Sequence, residues 1–333
     1  MLSFLKKLGQ SAITLWGVSV VIFLLLFWVP RLGQNDPTEA MALMVAGART
    51  DPATVKNIKE KLGLTKPMLL NFAAARKASS PAAKTKALFD AQYPRFVADA
   101  FTNNLRSFRN DDRVFSAILR RFPATLLLAL TALSVYLLVA VPVSLLTSNR
   151  AGSWLDKSGL FLSIVALSVP TFWLGRLLQH YLGYEAGIFS VGGSASLWNL
   201  PLPALTLGVG GAAYYSRLLH ANLNGVMKQD YIRAARARGV AENRVMSKHA
   251  LKNALIPAIA VLGAEFASLL SGLIFTEKIF GWPGIGSLAV DSVANQDVPM
   301  ILGTVLFSAL MVVSANIVVD IIYRIIDPRV RTD

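Results

Sequence analysis

The run Ser19-Val-Val-Ile-Phe-Leu-Leu-Leu-Phe-Trp-Val29 lies inside a largely apolar segment, residues 8–30, that contains no charged residue. A helix needs about 20 such residues to cross a bilayer, because its backbone polar groups must be satisfied within the segment. The apolar core is longer than that of a usual signal peptide, and no small-x-small cleavage site follows it. We therefore expect a retained transmembrane helix.

Five further apolar segments follow the first. They cover residues 122–146, 158–182, 200–221, 254–276 and 299–323. The composition agrees with a bilayer protein, because hydrophobic residues make up 54% of the 333 residues and charged residues 16%, against roughly one quarter in soluble chains. The sequence predicts an all-α membrane protein with six transmembrane helices.

The distribution of Lys and Arg predicts the orientation, since basic residues are retained on the cytoplasmic side of short connections. With a cytoplasmic N-terminus, the internal connections hold Lys6, Lys7, Arg150, Lys157, the seven basic residues of 228–252, Arg324, Arg329 and Arg331. The short external connections hold only Lys278. We expect both termini in the cytoplasm. We interpret the formal charge of +14 as a topology signal, and expect no nucleic-acid partner because no nucleic-acid-binding motif accompanies it.

Three regions follow from these spans. Residues 1–31 hold the N-terminal segment and first helix, residues 32–121 form an external (periplasmic) region, and residues 122–333 form a core with five helices and a cytoplasmic loop at 222–253. The external region is broken by Asp36-Pro, Asp51-Pro and Ser80-Pro and has an Ala/Lys-rich stretch at 82–87. It has too few apolar residues for a large core, which predicts a small external domain.

The loop after the fourth span contains Asp230-Tyr-Ile-Arg-Ala-Ala-Arg-Ala-Arg-Gly239. Asp230 is expected to cap a helix, and Gly239 suits the left-handed residue that ends one. The pattern predicts a helix, a sharp turn and a second helix. Ala234 and Ala235 are small enough for a partner to approach closely. The alternative is a solvated basic loop that only anchors the topology.

No catalytic, cofactor-binding or metal-binding residue is predicted. The chain has no Cys, and His180, His220 and His249 are far apart without metal-binding spacing. No Gly-x-x-x-x-Gly-Lys-Ser/Thr run occurs, so we expect no phosphate-binding loop in this chain.

The stretch Arg233-Ala-Ala-Arg-Ala-Arg-Gly239 resembles the Glu-Ala-Ala-x-x-x-Gly loop of binding-protein-dependent ABC importer permeases. Arg233 stands in place of the Glu, as in the oligopeptide, dipeptide and nickel branch. The resemblance to the B-type transmembrane subunit of that branch extends along most of the chain. It rests on Leu62-Gly-Leu-Thr-Lys-Pro67, Arg121-Phe-Pro-Ala-Thr-Leu126, Ser168-Val-Pro-Thr-Phe-Trp-Leu-Gly175, Leu202-Pro-Ala-Leu-Thr206, Phe280-Gly-Trp-Pro-Gly-Ile-Gly286 and Asp327-Pro-Arg-Val-Arg331.

The resemblance implies the fold of a type I importer permease and a subunit of an ATP-driven importer for peptides or similar small solutes. Nickel chelates, opines and antimicrobial peptides are the alternative cargoes. It also implies a multi-pass protein of the bacterial cytoplasmic (inner) membrane, surrounded by membrane lipid. Its expected partners are a homologous second permease subunit, two ABC ATPase subunits that bind ATP and Mg, and an extracytoplasmic solute-binding protein.

In the resembled family the loop, residues 230–257 in this chain, docks into the ATPase and couples its closure to alternating access. The residues assigned to coupling are Asp230, Arg233, Ala234, Ala235, Arg236, Arg238, Gly239, His249 and Pro257. The three arginines have two open roles, pairing with ATPase carboxylates or with anionic lipid headgroups. Two departures from the family are a region 72–109 without the usual Gly-Asp-Leu-Gly-Ser run, and Ala241 as a weak cap for the second helix.

Glu265 is the charged residue that cannot reach a membrane surface, because it falls near the middle of the fifth predicted span. We expect it to face the translocation path or the sister subunit. Arg176, Arg217 and Asp320 can reach an interface. The Gly281-Trp-Pro-Gly-Ile-Gly286 run is interpreted as an interfacial anchor, with a gate or a binding-protein contact as the alternative.

Two other function classes are weighed against the importer subunit. A self-contained secondary transporter is expected to show two matching halves, and no internal repeat is apparent. A membrane scaffold would not need the helix-turn-helix between the fourth and fifth spans.

Overall fold

The computed structural model describes residues 2–32, 37–46, 51–150, 152–194 and 196–326. Over these residues the chain is helical, and the β feature present is one isolated bridge between Arg106 and Arg113. The predicted all-α class is confirmed. The predicted motif at residues 327–331, with Arg329 and Arg331, lies outside the described residues.

The α-helices vary in length from single turns to long, membrane-sized rods. In chain order they are α1 Leu2–Phe27, α2 Val29–Leu32, α3 Pro37–Ala46, α4 Pro52–Lys61, α5 Phe72–Lys77, α6 Pro81–Leu88, α7 Gln92–Phe101, α8 Val114–Ser148, α9 Trp154–Ser168, α10 Thr171–Leu178, α11 Pro201–Val226, α12 Asp230–Ala237, α13 Glu242–Arg244, α14 Leu251–Gly272, α15 Ile274–Ile279, α16 Ile285–Ala294 and α17 Val298–Ile326. Two π-helical segments, Gln179–Glu185 and Val245–Ala250, and a 3-10 turn, Leu197–Asn199, lie between them.

Three of these helices are long and apolar enough to cross a bilayer: Lys7–Phe27, Val114–Ser148 and Val298–Ile322. They contain most of the first, second and sixth predicted spans. The second begins eight residues before the predicted start at 122 and has 35 residues, or about 52 Å at 1.5 Å per residue. The helix therefore extends beyond the predicted apolar span at its N-terminal end, through the charged residues Arg120 and Arg121.

The third predicted span is a bent pair, Trp154–Ser168 and Thr171–Glu185, with an angle of 96° between its limbs. Pro170 lacks a backbone N–H and disfavours helical geometry at the residue before it. Val169 is accordingly extended, with ψ of 120°. The prediction of one continuous transmembrane helix over 158–182 is therefore wrong at Pro170, where the helix is broken.

The fourth and fifth predicted spans are also helical. Residues 201–221 fall in α11, which has 26 residues, and Leu200 is its N-cap. The fifth is bent by 43° between Glu242–Ile259 and Val261–Leu270, and it ends at Gly272, before the predicted end at 276, because a separate helix α15 follows. Within the described residues up to five spans meet the criteria of length and apolarity, so a count of six stays a prediction.

The chain divides into two compact units. The first comprises Met1–Phe122 and Leu288–Leu310, and the second Pro123–Ser287 and Met311–Asp333. The core of the first unit is formed by the C-terminal part of α1, the helices after it and the start of α17. Its buried residues are Phe23, Phe27, Met41, Leu64, Phe96, Val298 and Leu302.

The second unit has two buried clusters. One surrounds Leu128, Tyr136, Leu270 and Trp282, and the other surrounds Tyr215, Leu219 and Leu223 of α11. Helices α8 and α11 meet closely at the first: a Cβ added at Gly211 would lie 1.9 Å from Cζ of Tyr136. The aromatic ring therefore occupies the space that a side chain at position 211 would need.

Candidate functional site

The short helix α12 begins at Asp230, and its N-cap is Gln229. The predicted capping role of Asp230 is therefore wrong by one residue, because the chain turns into the helix one position earlier. Asp230 instead lies in the first turn, where a carboxylate interacts favourably with the helix dipole. Its Oδ1 is 3.2 Å from Nη1 of Arg233, and both side chains are largely exposed, so the ion pair adds little stability.

The C-terminus of α12 is closed by a Schellman motif. Gly239 has φ of +78°, and its N–H donates to the carbonyl of Arg236 at 2.9 Å. The N–H of Val240 donates to the carbonyl of Ala235 at 3.3 Å, which completes the pair of bonds that defines the motif. The predicted left-handed glycine is confirmed. No atom lies within 4 Å of a Cβ added there, so the requirement for glycine is one of backbone conformation alone.

One face of α12 is buried in its own subunit. Ile232 is 0% exposed and Ala235 1%, and both belong to the cluster that includes Val245, Met246 and Ala250. Ala235 therefore packs inward, which corrects the expectation that both alanines lie open to a partner. Ala234 is exposed, and the outward face comprises Arg233, Ala234, Arg236, Ala237 and Arg238.

Arg236 spans the turn and binds Glu242 at the start of α13. Its Nε donates to Oε2 at 3.0 Å and its Nη2 to Oε1 at 2.6 Å. These hydrogen bonds, together with the opposite charge, lower the pKa of the Glu242 carboxyl and raise that of the Arg236 guanidinium. This pair was not predicted from the sequence. An Arg and a Glu that are six residues apart, on either side of a glycine turn, could have indicated it.

The two halves of the loop are also joined through Tyr231. Its hydroxyl accepts a hydrogen bond from Nδ2 of Asn253 at 2.6 Å and donates to the carbonyl of His249 at 3.5 Å. His249 thus contributes its backbone, and its side chain is half-buried. Pro257 lies farther along, inside α14. Ala241 is the N-cap of α13 and provides no side-chain hydrogen bond, as expected.

Glu265 lies on α14 and is half-buried. It is close enough to the buried Tyr136 of α8 for an electrostatic interaction. Both residues belong to the second unit. Its predicted place on the translocation path stays a prediction.

A fully buried carboxylate, Glu277 of α15, was not predicted from the sequence. Glu277 is 0% exposed. Its Oε1 accepts from the hydroxyl of Thr125 at 2.7 Å, and its Oε2 from the N–H of Ser287 at 2.8 Å. The same hydroxyl oxygen accepts from the N–H of Ile285 at 2.8 Å. The carboxylate therefore ties α8 and α15 to the first turn of α16.

The glycine-rich segment 281–286 leaves room for the Glu277 carboxylate. A Cβ at Gly284 would lie 2.0 Å from Oε1 of Glu277, so the glycine leaves the space that the carboxylate occupies. Trp282 is 4% exposed, and its Nε1 donates to the carbonyl of Ala124 at 2.9 Å. The interpretation of this run as an interfacial anchor is wrong, because its aromatic side chain packs inside the protein.

Comparisons with known proteins match two families along the chain. Residues 140–332 match "Binding-protein-dependent transport system inner membrane component", and residues 1–129 match the N-terminal part of such membrane components. The chain belongs to this family. It is a permease component with several apolar helices, as the sequence predicted.

Relatives of this permease match between two thirds and nearly all of its length. A putative peptide transport system permease protein of Brucella abortus is 32% identical over 99% of this chain and 98% of the relative. The glutathione transport system permease protein GsiC of Pectobacterium atrosepticum is 32% identical over 98% of each chain. The oligopeptide transport system permease protein AppB of Bacillus subtilis is 38% identical over 67% of this chain and 73% of the relative.

The fold of the permease also has a solved counterpart. A chain of the MetNI methionine ABC transporter in inward-facing conformations matches with a TM-score of 0.53 and 18% identity, over 63% of this chain and 96% of that chain. The likeness shows that the two share the importer permease fold.

Proposed function

We propose that this chain is the membrane-spanning permease subunit of an ATP-driven importer for peptides or similar small solutes. The family supports the role of a transport permease, and relatives named for peptide, glutathione and oligopeptide transport support the cargo class. The sequence has no phosphate-binding loop, so ATP and Mg are bound by two partner ATPase subunits.

The contacts of α12 support its proposed role in coupling the ATPase to transport. Ile232 and Ala235 fix the helix to α11 and to the segment after the turn, while the Tyr231 hydroxyl fixes it to the start of α14. A partner that displaces the exposed face of α12 therefore also moves α14, which carries Glu265. Closure of the ATPase pair is coupled in this way to alternating access.

The remaining partners follow from the same role. One bundle of this kind forms half of a translocation path, so a homologous second permease completes it, and an extracytoplasmic binding protein delivers the solute. The chain lies in the bacterial inner membrane with both termini in the cytoplasm, which places α12 on the ATPase side. Glu265 faces the path or the sister subunit.

The test of coupling uses the absence of Cys from the chain. A single Ala234→Cys variant carries a reactive thiol on the exposed face of α12, and Ala82→Cys carries one in the external region. We expect Ala234→Cys, and not Ala82→Cys, to cross-link to the ATPase and to block uptake of a radiolabelled peptide once linked. Equal cross-linking from both positions, or none from Ala234→Cys, contradicts the proposed docking surface.

Nickel chelates, opines and antimicrobial peptides are the alternative cargoes within the family. Identifying the partner binding protein and measuring which solute it binds distinguishes them. A self-contained secondary transporter is distinguished more simply, since its purified form transports without an ATPase.

A further inference from the structure

The first compact unit contains a cavity of about 650 Å³, within the size range of small-molecule sites. It lies where two membrane-spanning helices end. Phe27 is the last residue of the span Lys7–Phe27, and Val298 is the first of the span Val298–Ile322; both line the cavity. Because both helices are proposed to cross the bilayer, this position corresponds to a boundary between hydrocarbon and water, whichever way the chain is oriented.

The walls of the cavity differ in chemistry. One side is apolar and is formed by Phe23, Phe27 and Leu302 of the two spans. Phe23 and Phe27 are stacked, with ring centroids 4.4 Å apart. The other side comes from the external helices and loops and includes Lys61, Arg95 and Arg109. A ligand that fills the whole cavity must be apolar at one end and anionic at the other.

The charges that line the cavity are not balanced. Arg106 and Asp111 neutralise each other through an ion pair of 2.8 Å. The other lining charges are Lys61, Arg95, Arg109 and Asp99. Among the described residues none of these three cations forms a salt bridge, and Arg95 makes only a 3.5 Å contact to the carbonyl of Lys61. The cavity thus has an excess of two positive charges, and guanidinium groups match phosphate geometry well.

Gln92 is a buried residue of the cavity wall. Its side chain is 6% exposed, and Nε2 donates to the carbonyls of Leu64 at 2.8 Å and Lys66 at 2.6 Å. Its Oε1 has no hydrogen-bond partner within the described structure. A buried acceptor left in this state costs about 1–3 kcal/mol. Because this oxygen has almost no accessible surface, polar recognition in the cavity rests on the cations.

We propose that this cavity binds an anionic glycerophospholipid. The phosphate lies among Lys61, Arg95 and Arg109, and the first part of an acyl chain packs on Phe23 and Phe27. The lipid then fills the boundary between the spans and the external helices. This assignment uses residues far from α12 in the sequence and does not depend on ATPase coupling.

The experiment titrates the delipidated full-length chain in detergent and counts bound lipid by native mass spectrometry. The probes are phosphatidylglycerol, the zwitterionic phosphatidylcholine with the same acyl chains, and glycerol phosphate, which has no acyl chain. We expect one saturable phosphatidylglycerol per chain, with at least tenfold weaker binding of the other two. Equal binding of phosphatidylcholine overturns the anionic site, and equal binding of glycerol phosphate overturns the role of the apolar wall.

Paired variants locate the site. The double variant Arg95→Gln, Arg109→Gln removes two lining cations and should weaken phosphatidylglycerol binding at least tenfold. The control Arg76→Gln, Lys86→Gln removes the same charge from external positions that do not line the cavity, and should change binding less than twofold. An equal loss in both double variants contradicts the site, since it shows a general effect of charge. A thermal unfolding curve on each variant confirms that the fold is kept.

Discussion

The hydroxyl of Thr125 donates a 2.7 Å hydrogen bond to the carboxylate of Glu277, which is 152 residues away along the chain and has no exposed surface. The same hydroxyl oxygen accepts from the backbone of Ile285. One buried carboxylate and one hydroxyl therefore fix three helices at a single point.

Removing that carboxylate should destabilise the permease. Glu277→Ala leaves the hydroxyl of Thr125 and the N–H of Ser287 without their acceptor, which costs about 1–3 kcal/mol for each unsatisfied group. Glu277→Gln keeps an acceptor oxygen and should have a smaller effect. The measurement is the Tm of the purified protein in detergent, with the exposed Glu60→Ala as control. A Tm for Glu277→Ala equal to that of the control would show that the buried network is not stabilising.

Gly284→Ala should destabilise through the same carboxylate. The new methyl group would lie 2.0 Å from Oε1 of Glu277, so the side chain or the turn must shift, and overpacking of this kind typically costs about 1–3 kcal/mol. Gly225→Ala is the matched control, because it lies in α11 with no atom within 4 Å of the added Cβ. The control should be neutral or slightly stabilising, since alanine favours helix. Equal Tm values for the two variants would contradict the steric argument.

Substitutions at Gly239 should separate membrane insertion from coupling. The residue has φ of +78° in open space, so the penalty follows backbone preference and increases from Asn to Ala to Val, reaching about 1–2 kcal/mol or more. We expect Gly239→Val to be present in the membrane at near-normal amount, with ATPase association weakened and uptake lost, while Gly239→Asn keeps most of both. Membrane abundance, ATPase co-purification and uptake are measured in one strain. If Gly239→Val retains both ATPase and uptake, the loop is only a topology anchor.

The Arg236–Glu242 pair should make the turn sensitive to acid. The pKa of Glu242 is lowered in the fold from its ordinary value of 4.5, mainly by hydrogen bonds from Arg236. A lowered carboxyl pKa stabilises the folded loop above the unfolded pKa, and this contribution is lost as pH falls through the folded pKa. At neutral pH, Glu242→Gln should therefore increase amide hydrogen exchange over residues 236–245. At pH values below the folded pKa, the variant and the parent should exchange alike. A difference that persists unchanged at acid pH would assign the effect to packing and not to charge.

The orientation of the chain in the membrane can be tested with variants that each contain a single cysteine. Ala82→Cys lies in the predicted external region of a chain that otherwise has no Cys. An impermeant maleimide should label it from outside intact spheroplasts, whereas Ser247→Cys in the loop should react only after the membrane is opened. Labelling of Ala82→Cys only from the cytoplasmic side would reverse the proposed topology.

The parts that the sequence predicted well are local. Gly239 in the left-handed region follows from its place after a helical run, and the apolar segments follow from composition alone. Pro170 also gives a local signal, because a proline disfavours helix at the residue before it. A segment average of hydropathy ignores this signal, which is why one helix was predicted where the chain bends by 96°.

The errors in the candidate site come from long-range contacts. Ala235 looks the same as Ala234 in the sequence, and only packing against Val245 and Met246 decides that Ala235 is buried. Glu277 likewise has no pattern that points to Thr125. Trp282 is as suitable for a membrane interface as for a core, and its bond to the carbonyl of Ala124 settles the choice.

The close fit of the Tyr136 ring against Gly211 limits how this subunit can change during evolution. Any side chain at position 211 overlaps the ring, and a smaller residue at position 136 alone leaves a cavity beside the glycine. Each single step is therefore unfavourable, whereas a paired exchange of a small and a large residue restores the packing. Aligned homologues should show these two positions varying together.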